Sequence, residues 1–195
     1  MTFVLASNNM GKLREFHEIL EPLDIGIVPQ SMVGANFEVN ETGDSFAENA
    51  FLKASAVVSF SSFPVVADDS GLCVTALDGA PGLHSARFGG GKEWTDEQKY
   101  LYLLDCMKDA DDRSAKFVCS ICCILPGGRI LRAEGECRGR ILEKPRGEGG
   151  FGYDPVFAPD GYDESFAELG QDIKNQISHR AKALAAFREE LEKLC

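Results

Sequence analysis

The apolar run Phe63-Pro64-Val65-Val66-Ala67 leads straight into Asp68-Asp69-Ser70-Gly71, and few features restrict a fold more. A run this short and this apolar suits a central strand covered on both faces. Adjacent carboxylates at its carboxyl end are costly to bury unless a cation or hydrogen bonds neutralise them. Open α/β sheets place their ligands at that edge. The segment therefore predicts a buried strand over 63–67 that opens into a polar loop carrying charged chemistry. Taken alone, the acid pair also suits a turn capped with Ser70 and Gly71.

The flanking sequence agrees with an α/β arrangement. Phe3 to Ala6 is a short apolar strand that stops at Ser7-Asn8-Asn9. Leu13, Phe16, Ile19 and Leu20 then recur at helical spacing, so a helix begins near Met10 or Gly11. Ser45 and Glu48 have the spacing of a capping box and open a second helix, with Phe46, Ala50, Ala54, Val57 and Val58 on its apolar side. Thr95 and Gln98 repeat the signal before Leu101, Leu104 and Met107. Lys116 to Leu125 and Arg129 to Cys137 read as strands joined through Pro126-Gly127-Gly128. Glycine and proline dominate Lys144 to Pro159. A last helix starts near Ser178 with Ala181, Leu184, Ala185 and Leu191 inward. Helices and strands alternate early and a hairpin follows, which predicts a mixed sheet.

The chain has 195 residues, enough for one compact domain. Its net charge of −11 sets a field that repels phosphate polymers, so DNA and RNA are disfavoured as partners. A small phosphate ligand is still allowed, because local cations and a metal can hold it. No apolar run approaches membrane-span length, and the opening residues lack the pattern of a signal peptide. Seven cysteines, an odd number in mostly apolar surroundings, argue against a disulfide framework. Cys119 and Cys122 have the spacing of metal ligands, but they lie in a run that reads as a buried strand. A reducing cytoplasm is expected.

Four further groups carry possible chemistry. Ser7-Asn8-Asn9-Met10-Gly11-Lys12 passes from strand to helix through small polar residues, which aims amide N–H groups and the positive helix end at one spot. That suits a triphosphate, although the glycine that a Walker A loop requires is absent. Glu41, just before the second helix, joins Asp68 and Asp69 as a hard oxygen donor suited to Mg²⁺. Gly149-Gly150-Phe151-Gly152-Tyr153-Asp154 lets backbone approach a ligand, with Phe151 able to stack on a base and Tyr153 or Asp154 able to bond its edge. Lys174 and Ser178-His179-Arg180 put positive charge at a helix N-terminus, which is unfavourable without an anion or acceptor nearby. Each group alone also suits a cap, a turn or a solvated face.

In this order the groups resemble the inosine triphosphate pyrophosphatase family, which acts on non-canonical purine nucleoside triphosphates. The resemblance runs over nearly the whole chain. Its most specific stretches are Ser7 to Lys12, Glu41-Thr42-Gly43 with Phe46 to Ala50, Ala67 to Leu72, Gly79 to Gly82 with Ser85-Ala86-Arg87, Gly150 to Pro155, and Ser178 to Arg180. It implies an elongated mixed β-sheet flanked by helices, with two lobes around a central nucleotide-binding cleft, and a homodimer. By matching motif, Ser7, Asn8, Asn9, Met10, Gly11 and Lys12 would cradle phosphates. Glu41 and Asp69 would hold Mg²⁺, with Asp68 as a supporting acid and Asp69 as proton acceptor. Ser70 would contact substrate, and Phe151, Gly152, Tyr153, Asp154, Lys174, His179 and Arg180 would line the nucleotide pocket, with Arg87 a weaker candidate. The implied reaction is Mg²⁺-dependent hydrolysis of ITP, dITP and XTP to the monophosphate and pyrophosphate. A related enzyme of pyrimidine or modified nucleotides, or a triphosphate sensor, would use much of the same residue set.

Overall fold

Strand β1 (Thr2–Leu5) pairs in parallel with β2 (Gly26–Pro29) on one side and with β3 (Val65–Val74) on the other. These belong to a computed structural model that describes residues 1–91 and 93–194; Cys195 lies outside the described residues. Strands β4 (Ser114–Ile124), β5 (Ile130–Ile141) and β6 (Phe157–Pro159) complete a six-stranded sheet in the order β2-β1-β3-β4-β5-β6. Since β5 and β6 are antiparallel, the sheet is mixed, as expected. Its flanking helices are α1 (Met10–Leu20), α2 (Phe46–Val57), α3 (Asp96–Cys106), α4 (Phe166–Leu169), α5 (Gln171–Ile177) and α6 (His179–Glu192).

The chain divides into two compact units. The first comprises Met1–Asp69, Cys119–Gly135 and His179–Cys195, and the second Ser70–Val118 and Glu136–Ser178. In the first unit, Phe3, Leu5, Phe16, Leu20, Ala183, Leu184 and Phe187 fill one core, while Val4, Ala50, Ala54, Val57 and Val65 fill another. Successive residues of β1 thus feed opposite faces, as strand geometry requires. In the second unit Leu72, Val74, Leu103, Phe117, Phe157 and Phe166 pack together, with Phe117 and Phe157 edge to face at 4.7 Å between ring centroids.

Helix starts follow the expected chemistry closely. Asn9 caps α1, its side chain accepting from the Lys12 amide at 3.0 Å. Thr95 and Gln98 form a reciprocal capping box at α3. Thr95→Ala should therefore cost about 0.5–2 kcal/mol, measurable as a shift in urea midpoint. At α2 only half of the box forms: Ser45 Oγ accepts from Glu48 N, but the Glu48 carboxylate turns to the Asp44 amide at 2.7 Å.

Other expectations need correction. The strand expected over 63–67 instead runs from Val65 through Asp68, Asp69, Ser70 and Gly71 to Val74. The acids therefore lie within a strand rather than in a loop beyond it, because cations distant in sequence neutralise them there. β5 extends four residues past Cys137 to Ile141, where Ile141 pairs with Phe157 of β6. Ala185 is exposed, and Ala183 and Phe187 take the inward positions on α6. A Cβ on Gly135 would come within 2.3 Å of both Ala183 N and His179 O, so only glycine permits this approach of β5 to α6. Cys119 and Cys123 enter one core and Cys122 the other. Cys119 and Cys122 therefore point to opposite faces and do not share a metal.

Candidate functional site

Asp68 and Asp69 are neighbours in β3, so their side chains leave opposite faces of the strand and meet different partners. Asp68 is 2% exposed. Its Oδ1 lies 3.0 Å from Lys12 Nζ, on the first turn of α1. Its Oδ2 accepts from Arg180 Nη2 at 3.0 Å, at the start of α6. Arg180, itself 1% exposed, also donates through Nη1 to Glu15 of α1. A guanidinium shared by two carboxylates, with an ammonium beside the other Asp68 oxygen, joins these side chains in one buried charge network. Burial works against ionisation of Asp68, but Lys12, Arg180 and Lys53 outweigh it and hold the carboxyl well below the usual range. Burial pulls the Lys12 ammonium below its ordinary value despite Asp68.

Asp69 faces α2. Lys53 Nζ donates to Asp69 Oδ1 at 2.7 Å and to Glu41 Oε1 at 2.9 Å. Asn49, one helical turn earlier, donates through Nδ2 to Asp69 Oδ2 at 3.2 Å, while its Oδ1 accepts from the Gly43 amide at 2.9 Å. Asn49 thus ties Asp69 to the segment carrying Glu41. A Cβ on Gly43 would lie 2.7 Å from Glu48 Cβ and 2.8 Å from Asn49 Oδ1, so this docking needs glycine. Burial raises the Asp69 pKa, only partly offset by Lys53. Burial also lowers Lys53, but Asp69, Asp68 and Glu41 together carry it above its ordinary value. The adjacent acids consequently differ in character: the Asp68 carboxyl is held below its ordinary pKa and the Asp69 carboxyl above it.

Among the described residues, no three or more His, Cys, Asp or Glu side chains gather tightly enough to hold a metal. Glu41 and Asp69 nevertheless converge on one cation, the Lys53 ammonium, and are the residues able to hold a hard ion. Asp68 is turned toward Lys12 and Arg180 instead.

The remaining candidates fall as follows. Asn8, Asn9 and Met10 are exposed at the start of α1, and Ser7 Oγ accepts from Asn9 N at 3.1 Å. The Met10 and Gly11 amides belong to a first turn that has no acceptor within its own helix. His179 is buried at the first position of α6. In the second unit, Ser70 is partly exposed on β3 and Arg87 ends a short 3₁₀ segment. There Phe151 and Gly152 are half-buried, while Tyr153 and Asp154 are buried. Lys174 Nζ lies 2.6 Å from Asp154 Oδ2 and 4.4 Å from the Phe151 ring centroid, a cation–π contact. The Tyr153 hydroxyl donates to Ser85 O at 2.8 Å.

Glu15, Asn49 and Lys53 were missed as functional candidates. A signal existed for each of them. Asn49 and Lys53 stand one turn apart beside the apolar positions Ala50 and Ala54, so a helical wheel places them on the buried edge of α2. Glu15 likewise adjoins Phe16.

Comparison with known proteins gives the same answer at every level. The Ham1 family matches residues 3–190. The chain is 46% identical to a dITP/XTP pyrophosphatase of Desulforamulus reducens, covering 100% of this chain and 97% of that protein. It is 42% identical to one from Bacillus subtilis, over 97% of this chain and 96% of the relative. Among solved structures, the Ham1 protein of Staphylococcus aureus superposes with a TM-score of 0.88 at 39% identity, covering 100% of both chains. A HAM1 protein from Coxiella burnetii gives 0.88 at 38% identity over 99% of each. With motif order, sheet topology and full-length likeness in agreement, the chain belongs to the Ham1 family.

Proposed function

We infer that this protein hydrolyses non-canonical purine nucleoside triphosphates, ITP, dITP and XTP, to the monophosphate and pyrophosphate. The observation that carries the reading is the convergence of Glu41 Oε1 and Asp69 Oδ1 on one cation, at 2.9 and 2.7 Å from Lys53 Nζ. The activity of the dITP/XTP pyrophosphatase relatives supports the same substrate class.

The donor set fits Mg²⁺, which takes few protein carboxylates and keeps waters and phosphate oxygens as its other ligands. Glu41 and Asp69 would hold it. When bound, Mg²⁺ offsets phosphate charge and makes bound water more acidic. Asp69 takes the proton as water attacks the α-phosphorus in line, and the pyrophosphate oxygen leaves. Lys12 and the amides opening α1, from Ser7 through Asn8, Asn9, Met10 and Gly11, hold the departing phosphates. Arg180 acts through its grip on Asp68, the supporting acid. Phe151, Gly152, Tyr153, Asp154, Lys174, Ser70 and His179 serve the nucleoside.

Hypoxanthine and xanthine present an acceptor oxygen at position six where adenine presents a donor. Donors placed there are left unpaired by adenine, at about 1–3 kcal/mol per group. Purified protein should therefore release pyrophosphate from ITP, dITP and XTP at least about tenfold faster than from ATP. GTP should also be slow, and release should depend on Mg²⁺. Equal rates across the panel, or orthophosphate and diphosphate as products, would overturn the reading. We also assign the protein to the cytoplasm and to a homodimer; among the described residues no helix is long and apolar enough to cross a membrane.

A further inference from the structure

Phe151 sits between glycines in left-handed conformations, Gly150 at φ 76° and Gly152 at φ 63°. A segment with that freedom holds an aromatic ring in one direction only if its peptide groups are tied down. On one side the Phe151 amide donates to Asp154 Oδ2 at 2.9 Å, the oxygen that also accepts from Lys174. On the other side the Gly152 amide donates to Asp96 Oδ2 at 2.7 Å, across a separation of 56 residues. The Gly152 N–H and the Phe151 carbonyl share one rigid peptide plane. Fixing that N–H therefore fixes ψ at Phe151, as Asp154 fixes the preceding side.

Asp96 is well placed to be a fixed point. It is the first residue of α3, where a carboxylate is favoured by the helix dipole. The capping box of Thr95 and Gln98 sets the backbone there. Its other oxygen, Oδ1, faces Lys99 Nζ at 3.4 Å.

We propose that Asp96 is a positioning residue for the purine base: by holding the Gly152 peptide it aims the Phe151 ring, and so sets nucleoside affinity without touching the reacting phosphates. This rests on the reading that Phe151 stacks on the base. Asp96→Ala should raise KM for ITP roughly three- to tenfold while kcat stays within about twofold, the pattern of lost uniform binding. Inhibition by inorganic tripolyphosphate, which has no base, should stay at the wild-type constant. Asp96→Asn keeps an acceptor oxygen in place and should bring KM most of the way back. An unchanged KM in Asp96→Ala overturns the proposal. So does tripolyphosphate inhibition that weakens in step with KM, which would mark a general structural loss. Wild-type protein that leaves ITP intact would fail the substrate reading itself, and this inference with it.

Discussion

Asp69→Asn is expected to slow pyrophosphate release by about 10²–10⁴-fold, the usual contribution of a positioned general base. The substitution keeps size and removes basicity. The Asp69 pKa is raised by burial while the cations around Asp68 hold that carboxyl low, so of the two acids Asp69 is the one proposed to accept the proton. Its oxygens accept from Lys53 at 2.7 Å and Asn49 at 3.2 Å. An amide supplies only one acceptor oxygen for these donors, so a modest loss of stability accompanies the rate effect, about 1–3 kcal/mol. Thermal unfolding of the variant separates that loss from the chemistry. A folded Asp69→Asn protein that turns over ITP at the wild-type rate would remove Asp69 as proton acceptor.

Arg180→Met should be the most damaging change to the fold. The side chain is 1% exposed and its guanidinium serves both Asp68 and Glu15. Lys12 still neutralises Asp68 at 3.0 Å, but Glu15, 2% exposed, loses the guanidinium that balances it. Removing one partner of a buried ion pair typically costs about 3–5 kcal/mol, a fall in Tm on the order of 10 °C for a chain of this size. Adding Glu15→Gln should recover part of the loss, since it removes a buried negative charge that the guanidinium no longer meets. A melting temperature at the wild-type value would show that the network contributes nothing. The network also predicts a pH dependence. Because the folded Asp68 pKa is depressed, its contribution is complete above the ordinary aspartate value of about 3.9. It is lost progressively as the pH falls from there toward the folded value. Wild-type protein should accordingly lose more stability on acidification below that point than Arg180→Met does.

Much of this was legible in the residues themselves, because local chemistry decides it. The β1-to-α1 turn with its Asn9 cap, the Thr95 capping box and the turn joining β4 to β5 all depend on residues within a few positions of one another. The buried strand that runs into Asp68 was legible too, from its apolar residues. The separated motifs, read in order, point to the family by themselves. What tertiary structure alone decided is where the charges find partners. Lys12 and Arg180 reach Asp68 from 56 and 112 residues away, and that neutralisation lets β3 continue through its acids. Lys53 and Asn49 face Asp69 rather than solvent because α2 packs on that side of the sheet. Asp96 meets Gly152 across 56 residues. Pattern along a chain reports which side chains must be buried; which charge answers which is settled only when the elements pack, since Coulomb energies depend on distance in space and not in sequence.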